Sequence, residues 1–377
     1  MTRRERLLRT LRGDTVDRPP VSFYEINGLD ECPEDDDPFN IYSHPSWRPL
    51  IELARDHTDR IVMRGAAFQG VQPDPVAALA STETCLYRGS RQVTHRLAAG
   101  GRMLTSRTRR DPDVNTIWTE EHLLKDERDL RAFLTLPLPV SVGTPDLSGV
   151  LEAETALADS GIVMLDTPDP LCLAASLFDL GTYTTIALTE PALFRALLDW
   201  FAPALIQRTE AVSRELPGRL WRIYGPEYAA PPYLPSALFR EFVVPYVAPM
   251  ITAIQRHGGY ARIHSHGRLR NILDDIAALH PDGLDPIEPP PQGDVELAWV
   301  RANYGTDMVL FGNLEVSDIE ALPPEQFRDK VLHALEEGTR TPGRGFVLMP
   351  SACPYGRELS LTSLRNYETI IDCVETL

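Results

Sequence analysis

No apolar run in the 377 residues approaches the roughly 20 that a membrane span needs, and this excludes a helical membrane protein. The opening Met-Thr-Arg-Arg-Glu-Arg is charged and no signal-peptide core follows it, so the expected location is cytoplasmic. Cysteine is scarce: Cys32, Cys85, Cys172, Cys353 and Cys373 are odd in number and unpatterned, which argues against a disulfide framework. Positive charge is also short. Lys and Arg number 37 against 54 Asp and Glu, and the net charge of −17 makes a poor nucleic-acid binder. No GxGxxG follows the first expected strand, so a dinucleotide-binding sheet is the weaker reading. Proline is plentiful, at 33 residues, but it is scattered through loops rather than gathered in a tract.

What is there is an alternation. A basic helix is expected over 2–12, capped by Thr2 and stopped by Gly13, with Leu7, Leu8 and Leu11 as its apolar stripe. Strands are expected near 21, 60, 162, 221, 261, 284, 308 and 346. From the third strand onward, helices at about 170–180, 190–214, 235–257, 268–279, 294–303, 324–337 and 361–375 separate or follow them. Eight parallel strands joined by right-handed helical crossovers make a (β/α)8 TIM barrel within the α/β class. The chain is expected to form one such domain over 1–377. Residues 66–150 break the rhythm and read as an insertion or lid, a β-hairpin with further β character and a helix near 126–133, placed between the second and third strands.

The chemistry is expected at the carboxyl ends of the strands, where such barrels build their sites. The most informative stretch is Tyr260-Ala-Arg-Ile-His-Ser-His-Gly267. Residues two apart on a strand share a face, so His264 and His266 project together before a glycine. Two imidazoles aimed at one point are half of a transition-metal site; the plainer alternative is a hydrogen-bonded pair. Glu288 follows the sixth strand and Cys353 the eighth. With the histidines they offer two nitrogens, one oxygen and one sulfur, a tetrahedral zinc set. Glu227, and after it Glu25, are the candidate acid or base; Tyr24, Asn27, Tyr228 and Asn313 are candidates to orient a substrate.

Several of these pieces together resemble the uroporphyrinogen decarboxylase superfamily over essentially the whole length. They are Arg3–Gly13 with Asp17-Arg18-Pro19-Pro20, Gly225-Pro-Glu-Tyr228, Phe239–Pro245, Ile263-His-Ser-His-Gly267, Gly312-Asn313-Leu314, and Ser351-Ala-Cys353 through Asn366. The branch most resembled is the zinc methyltransferases that pass methyl groups between corrinoid proteins and thiols. The resemblance implies a barrel, zinc on His264, His266, Glu288 and Cys353, a small-molecule substrate, and a corrinoid brought by a partner protein, since no Asp-x-His-x-x-Gly motif occurs in this chain. It leaves a homodimer open. The chain departs from that branch at His266, where cysteine is usual. A neutral imidazole in place of a thiolate makes the site more positive, better suited to polarising an oxygen or acidifying water. O-demethylation and a metal-dependent lyase, hydrolase or decarboxylase reaction are therefore alternatives. The arginine-rich segment of the true decarboxylases is absent from Ser22-Phe-Tyr-Glu-Ile-Asn27.

Overall fold

The structure is a computed structural model and describes residues 1–70, 76–138 and 143–376. The expected insertion at 66–150 includes 71–75 and 139–142, which lie outside the described residues. Among the described residues thirteen strands occur in chain order: β1 (Arg60–Arg64), β2 (Ala67–Gln69), β3 (Ala80–Tyr87), β4 (Ser90–Ala99), β5 (Arg102–Arg110), β6 (Ile117–Glu121), β7 (Thr144–Asp146), β8 (Gly161–Pro168), β9 (Leu220–Tyr224), β10 (Tyr260–Ser265), β11 (Gly283–Pro286), β12 (Val309–Leu314) and β13 (Phe346–Pro350).

Seven of them form one curled parallel sheet in the order β1-β8-β9-β10-β11-β12-β13. These strands read as nearly unbroken apolar runs because both faces are covered. The outer face packs on helices, among them Pro191–Glu215, Val244–Arg256, Pro324–Thr339 and Leu361–Glu375. The concave face holds a second cluster: Ile61, Ile162, Met164, Leu220, Val309, Phe311, Val347 and Met349. Helix Arg3–Arg12 contributes Leu7 and Leu11 to that cluster. Its ends match the sequence reading, with the Thr2 hydroxyl accepting from Glu5 N and Gly13 at φ 78. Side chains alternate along each strand. The concave face thus passes from Leu220 to Arg222, and from Arg262 to His264, as the strands approach their carboxyl ends.

The expected strand near 21 is not a regular strand. Val21 forms a single parallel bridge to Leu348. Ser22 N donates to Leu348 O, Leu348 N to Pro20 O, and Asp59 N to Val21 O, so the segment bonds to β13 on one side and to the residue just before β1 on the other. Two features keep it short. Pro19 and Pro20 lack N–H donors, and Tyr24 at φ 57 turns the chain away.

The expected hairpin with its further β character is a four-stranded antiparallel sheet, in the order β3-β4-β5-β6. β2 and β7 pair antiparallel and bring the two ends of this excursion together between β1 and β8. Some helices are also shorter than their periodicity suggests. The one expected at 170–180 stops at Ala175, and Asp179 caps a new helix, Leu180–Thr189. The one expected at 235–257 bends by 52° between Phe242 and Val244. No single helix among the described residues is long and apolar enough to cross a membrane.

Candidate functional site

The concave face is apolar below and ionic above. Arg262, only 1% exposed, lies over the Phe311 ring at 4.6 Å and is ion-paired to Asp285 of β11 at 2.6 Å. Asp285 is fully buried and also holds His264 Nδ1 at 2.7 Å. Burial alone would raise the Asp285 carboxyl; Arg262 and His264 more than offset it and hold it at about 2. An ionised Asp285 accepts, so the His264 ring carries its proton on Nδ1 and leaves Nε2 for other contacts.

His266 repeats the device one step higher, just past the end of β10. Its Nδ1 meets Glu288 Oε1 at 2.8 Å, and Gly267 N donates to the other Glu288 oxygen at 2.6 Å. Burial works against charge on His266, but Glu288 and Glu227 raise its affinity for a proton. Glu288 moves the opposite way: burial is outweighed by His266 and the Gly267 N–H, which favour its ionised form. The two imidazoles meet edge to face, with centroids 4.6 Å apart and planes at 85°.

Tyr24 stacks on His264 at 6.2 Å, and its hydroxyl accepts from Arg222 Nη1 at 2.6 Å. Arg222 is clamped in turn by both Asp166 oxygens at 2.6 and 3.0 Å. Burial raises the Tyr24 phenol beyond its usual range, so it stays neutral.

Glu227 sits in the turn Gly225-Pro-Glu-Tyr228, where Gly225 N donates to its Oε2 at 3.1 Å. Gly225 has φ 119, and a Cβ there would lie 2.4 Å from both Asp169 Oδ1 and Cys172 Cβ, so only glycine fits. Asp169 is wholly buried, and burial pushes its carboxyl well up. Tyr228 is half-buried against Tyr183, whose hydroxyl donates to the Tyr228 carbonyl. Across the sheet, the Cys353 thiol donates to Glu25 Oε2 at 3.1 Å. Burial first, and Glu25 second, push that thiol well above its ordinary value.

The four expected zinc ligands do not surround one point. Among the described residues no three His, Cys, Asp or Glu side chains form a group that could hold a metal ion. Glu288 is spent on His266 and Gly267, and Cys353 on Glu25. As arranged, the set does not fit a tetrahedral zinc. The Asn27 side chain is tied into its own loop by Asp30 and Leu29 N. Asn313 borders a cleft of about 260 Å³ between the 289–290 turn and helix Pro324–Thr339.

Arg222, Arg262 and the partner role of Asp285 escaped the reading from motifs. A signal for them exists. Each arginine stands mid-strand in an otherwise apolar segment, at even spacing from the polar residues of the strand end: Arg222 before Tyr224, Arg262 before His264 and His266. A charge there must be paired or it would not be buried.

A curled parallel sheet, helices on its outer face and ionisable groups gathered at the carboxyl ends of its strands define an α/β fold of TIM-barrel kind. The family model described as uroporphyrinogen decarboxylase (URO-D) matches residues 162–376, more than half of the chain, and the chain belongs to that family. Among solved structures, a methyltransferase from Methanosarcina mazei shares the fold, with a TM-score of 0.61 at 17% identity, covering 100% of this chain and 99% of that one. D-psicose 3-epimerase, in a structure with D-fructose, matches with a TM-score of 0.35 at 10% identity, over 61% of this chain and 83% of its own. No curated protein matches the sequence.

Proposed function

We propose that the chain is an enzyme that moves a methyl group to or from a small molecule, working at the two histidine–carboxylate pairs. The observation that carries the site is the 4.6 Å edge-to-face contact of His264 and His266, each with its Nδ1 held by its own carboxylate. The methyl-transfer part draws on the fold shared along its whole length with the Methanosarcina mazei methyltransferase. We take Pro20–Ser22 as the eighth member that closes the sheet into a (β/α)8 barrel, and the chain as one domain with 66–150 inserted in it.

Transferring a methyl group between heteroatoms requires a proton to leave the acceptor or reach the departing atom. His266 is the group for that task, because Glu288 orients the ring and stabilises its charged form, leaving Nε2 to exchange the proton. His264, fixed by Asp285, offers Nε2 as an acceptor that orients the substrate. Glu227, close enough to raise the proton affinity of His266, is the second acid or base. Glu25 keeps the Cys353 thiol protonated, and Tyr24 and Tyr228 supply aromatic walls.

Zinc on His264, His266, Glu288 and Cys353, with a corrinoid on a partner protein as methyl carrier, is the second reading. One observation favours it: a carboxylate on the Nδ1 of each ring is the support that metal-bound histidines commonly have. It requires Glu288 to release His266 and Cys353 to leave Glu25. A lyase, hydrolase or decarboxylase at the same residues is the alternative reaction.

The test is turnover of isotopically methyl-labelled thiols, ethers and methylcobalamin, with metal content measured on the same protein. His266→Gln is expected to lower methyl transfer by roughly 100-fold or more. Undiminished transfer in that variant, or release of carbon dioxide in place of methyl exchange, would overturn the reading. About one zinc per chain, lost in Cys353→Ser, would select the second reading.

A further inference from the structure

Strands β8 and β9 use their two faces for different things. Asp166 and Arg222 bond to each other on the concave face, while Leu165 and Trp221, one residue away on each strand, belong to the outer core. There they border a cavity of about 230 Å³, together with helix Pro191–Glu215 and Phe68 of β2. The cavity lies on the opposite face of the sheet from His264 and His266. Much of its wall is apolar: Leu165, Leu205 and Val212 are buried and Phe68 is half-buried.

Two polar groups in this wall lack the partner that their chemistry calls for. Trp221 is only 4% exposed, and its Nε1 meets no acceptor among the described residues. An indole N–H can only donate, and native structures leave few such donors buried and unpaired. The second group is Arg208, exposed on the helix. Its guanidinium lies over the Phe68 ring at 5.2 Å and meets no carboxylate among the described residues. The helix offers it none, since the residues three and four away are Ala204, Leu205, Ala211 and Val212.

The other polar groups that line the cavity are already matched. Arg64 is held by both oxygens of Asp30, and Asp166 by Arg222. The Thr209 hydroxyl donates to Leu205 O and the Thr167 hydroxyl to Pro168 O. What is left over is one buried donor, one exposed cation and apolar wall.

We propose that this cavity is a second binding site, for a small carboxylate with an apolar body and a further oxygen. The carboxylate pairs with Arg208, which its place over Phe68 holds ready, and the further oxygen accepts from Trp221 Nε1. The apolar body lies against Leu165, Leu205 and Phe68. An inorganic anion would leave that wall without contacts, and an apolar molecule would leave both polar groups unmatched. The volume lies below the roughly 300–1,000 Å³ of pockets for drug-sized ligands, so the molecule is small.

The test is calorimetric titration of the full chain with 4-hydroxybenzoate, beside benzoate, which lacks the further oxygen, and 4-hydroxybenzyl alcohol, which lacks the charge. One molecule of 4-hydroxybenzoate is expected per chain, with each of the other two bound at least roughly threefold more weakly. Arg208→Gln is expected to weaken 4-hydroxybenzoate roughly tenfold and to remove its advantage over the alcohol. Trp221→Phe keeps an aromatic ring and deletes the donor, so it is expected to remove the advantage over benzoate. Should that variant fold poorly, the wild-type preference over benzoate and Arg208→Gln decide. His266→Gln, on the other face of the sheet, is expected to bind as the wild type does. No saturable binding at millimolar concentration, equal affinity for benzoate, binding indifferent to Arg208→Gln, or binding lost in His266→Gln would each overturn the proposal.

Discussion

Two ion pairs of almost the same length show how differently the two sheets use charge. Arg262 and Asp285 meet at 2.6 Å on the concave face of the parallel sheet, 1% and 0% exposed. Arg107 and Glu121 meet at 2.8 Å across β5 and β6, 45% and 29% exposed. Distance does not distinguish them; water does. In the exposed pair, solvent screens the attraction and would replace either partner if it were lost. In the buried pair neither partner can return to water, so each depends on the other. The antiparallel sheet can change its charges freely. The mouth of the parallel sheet cannot, and there the dependence passes on to His264, whose orientation rests on the same carboxylate.

The strongest way to break this comparison is Asp285→Ala, which leaves Arg262 charged and unpaired in the interior. We expect a loss of roughly 3–5 kcal/mol in denaturant unfolding; a loss under 1 kcal/mol would mean that water reaches Arg262. Next is Gly225→Ala, at a backbone with φ 119 and no room for a Cβ. It should cost roughly 2–3 kcal/mol and shift Glu227, lowering turnover further than unfolding alone explains.

Acid titration sharpens the contrast. The Asp285 carboxyl falls from 3.8 to about 2 on folding, so the unfolded chain holds that proton more tightly. The stabilisation is therefore whole above pH 4 and lost as pH falls toward 2, about 2 kcal/mol in all. Unfolding curves of the wild-type chain and Asp285→Asn should accordingly converge across that window, and parallel curves would contradict the buried-pair account. The smallest effect is expected from Arg107→Ala, below about 1 kcal/mol. A larger loss there would show that the exposed sheet is covered in solution.

Parts of this arrangement were legible beforehand. The cap at Thr2, the stop at Gly13 and the strand ending in His264 follow from local chemistry that the nearest few residues decide. The seven strands of the parallel sheet were legible as well, because burial on both faces demands continuous apolar runs. The short edge at Val21 was harder to read, since its extent depends on Pro20 and on the turn at Tyr24 rather than on apolar content. The expected helix at 170–180 was overread for a similar reason, with Asp179 capping the next helix in place of continuing the first.

By itself the sequence determined the alternation of strands and helices, the gathering of polar residues at strand ends, and the shared face of His264 and His266. All of these follow from periodicity along the chain. Only the tertiary structure decided the pairings: Asp285 on His264, Glu288 on His266, and Glu25 on Cys353 across 328 residues. The reason is that a side chain's choice among several charged partners depends on distance and on exclusion of water. Both are set by how the sheet curls, and neither is written in the spacing of residues along one strand.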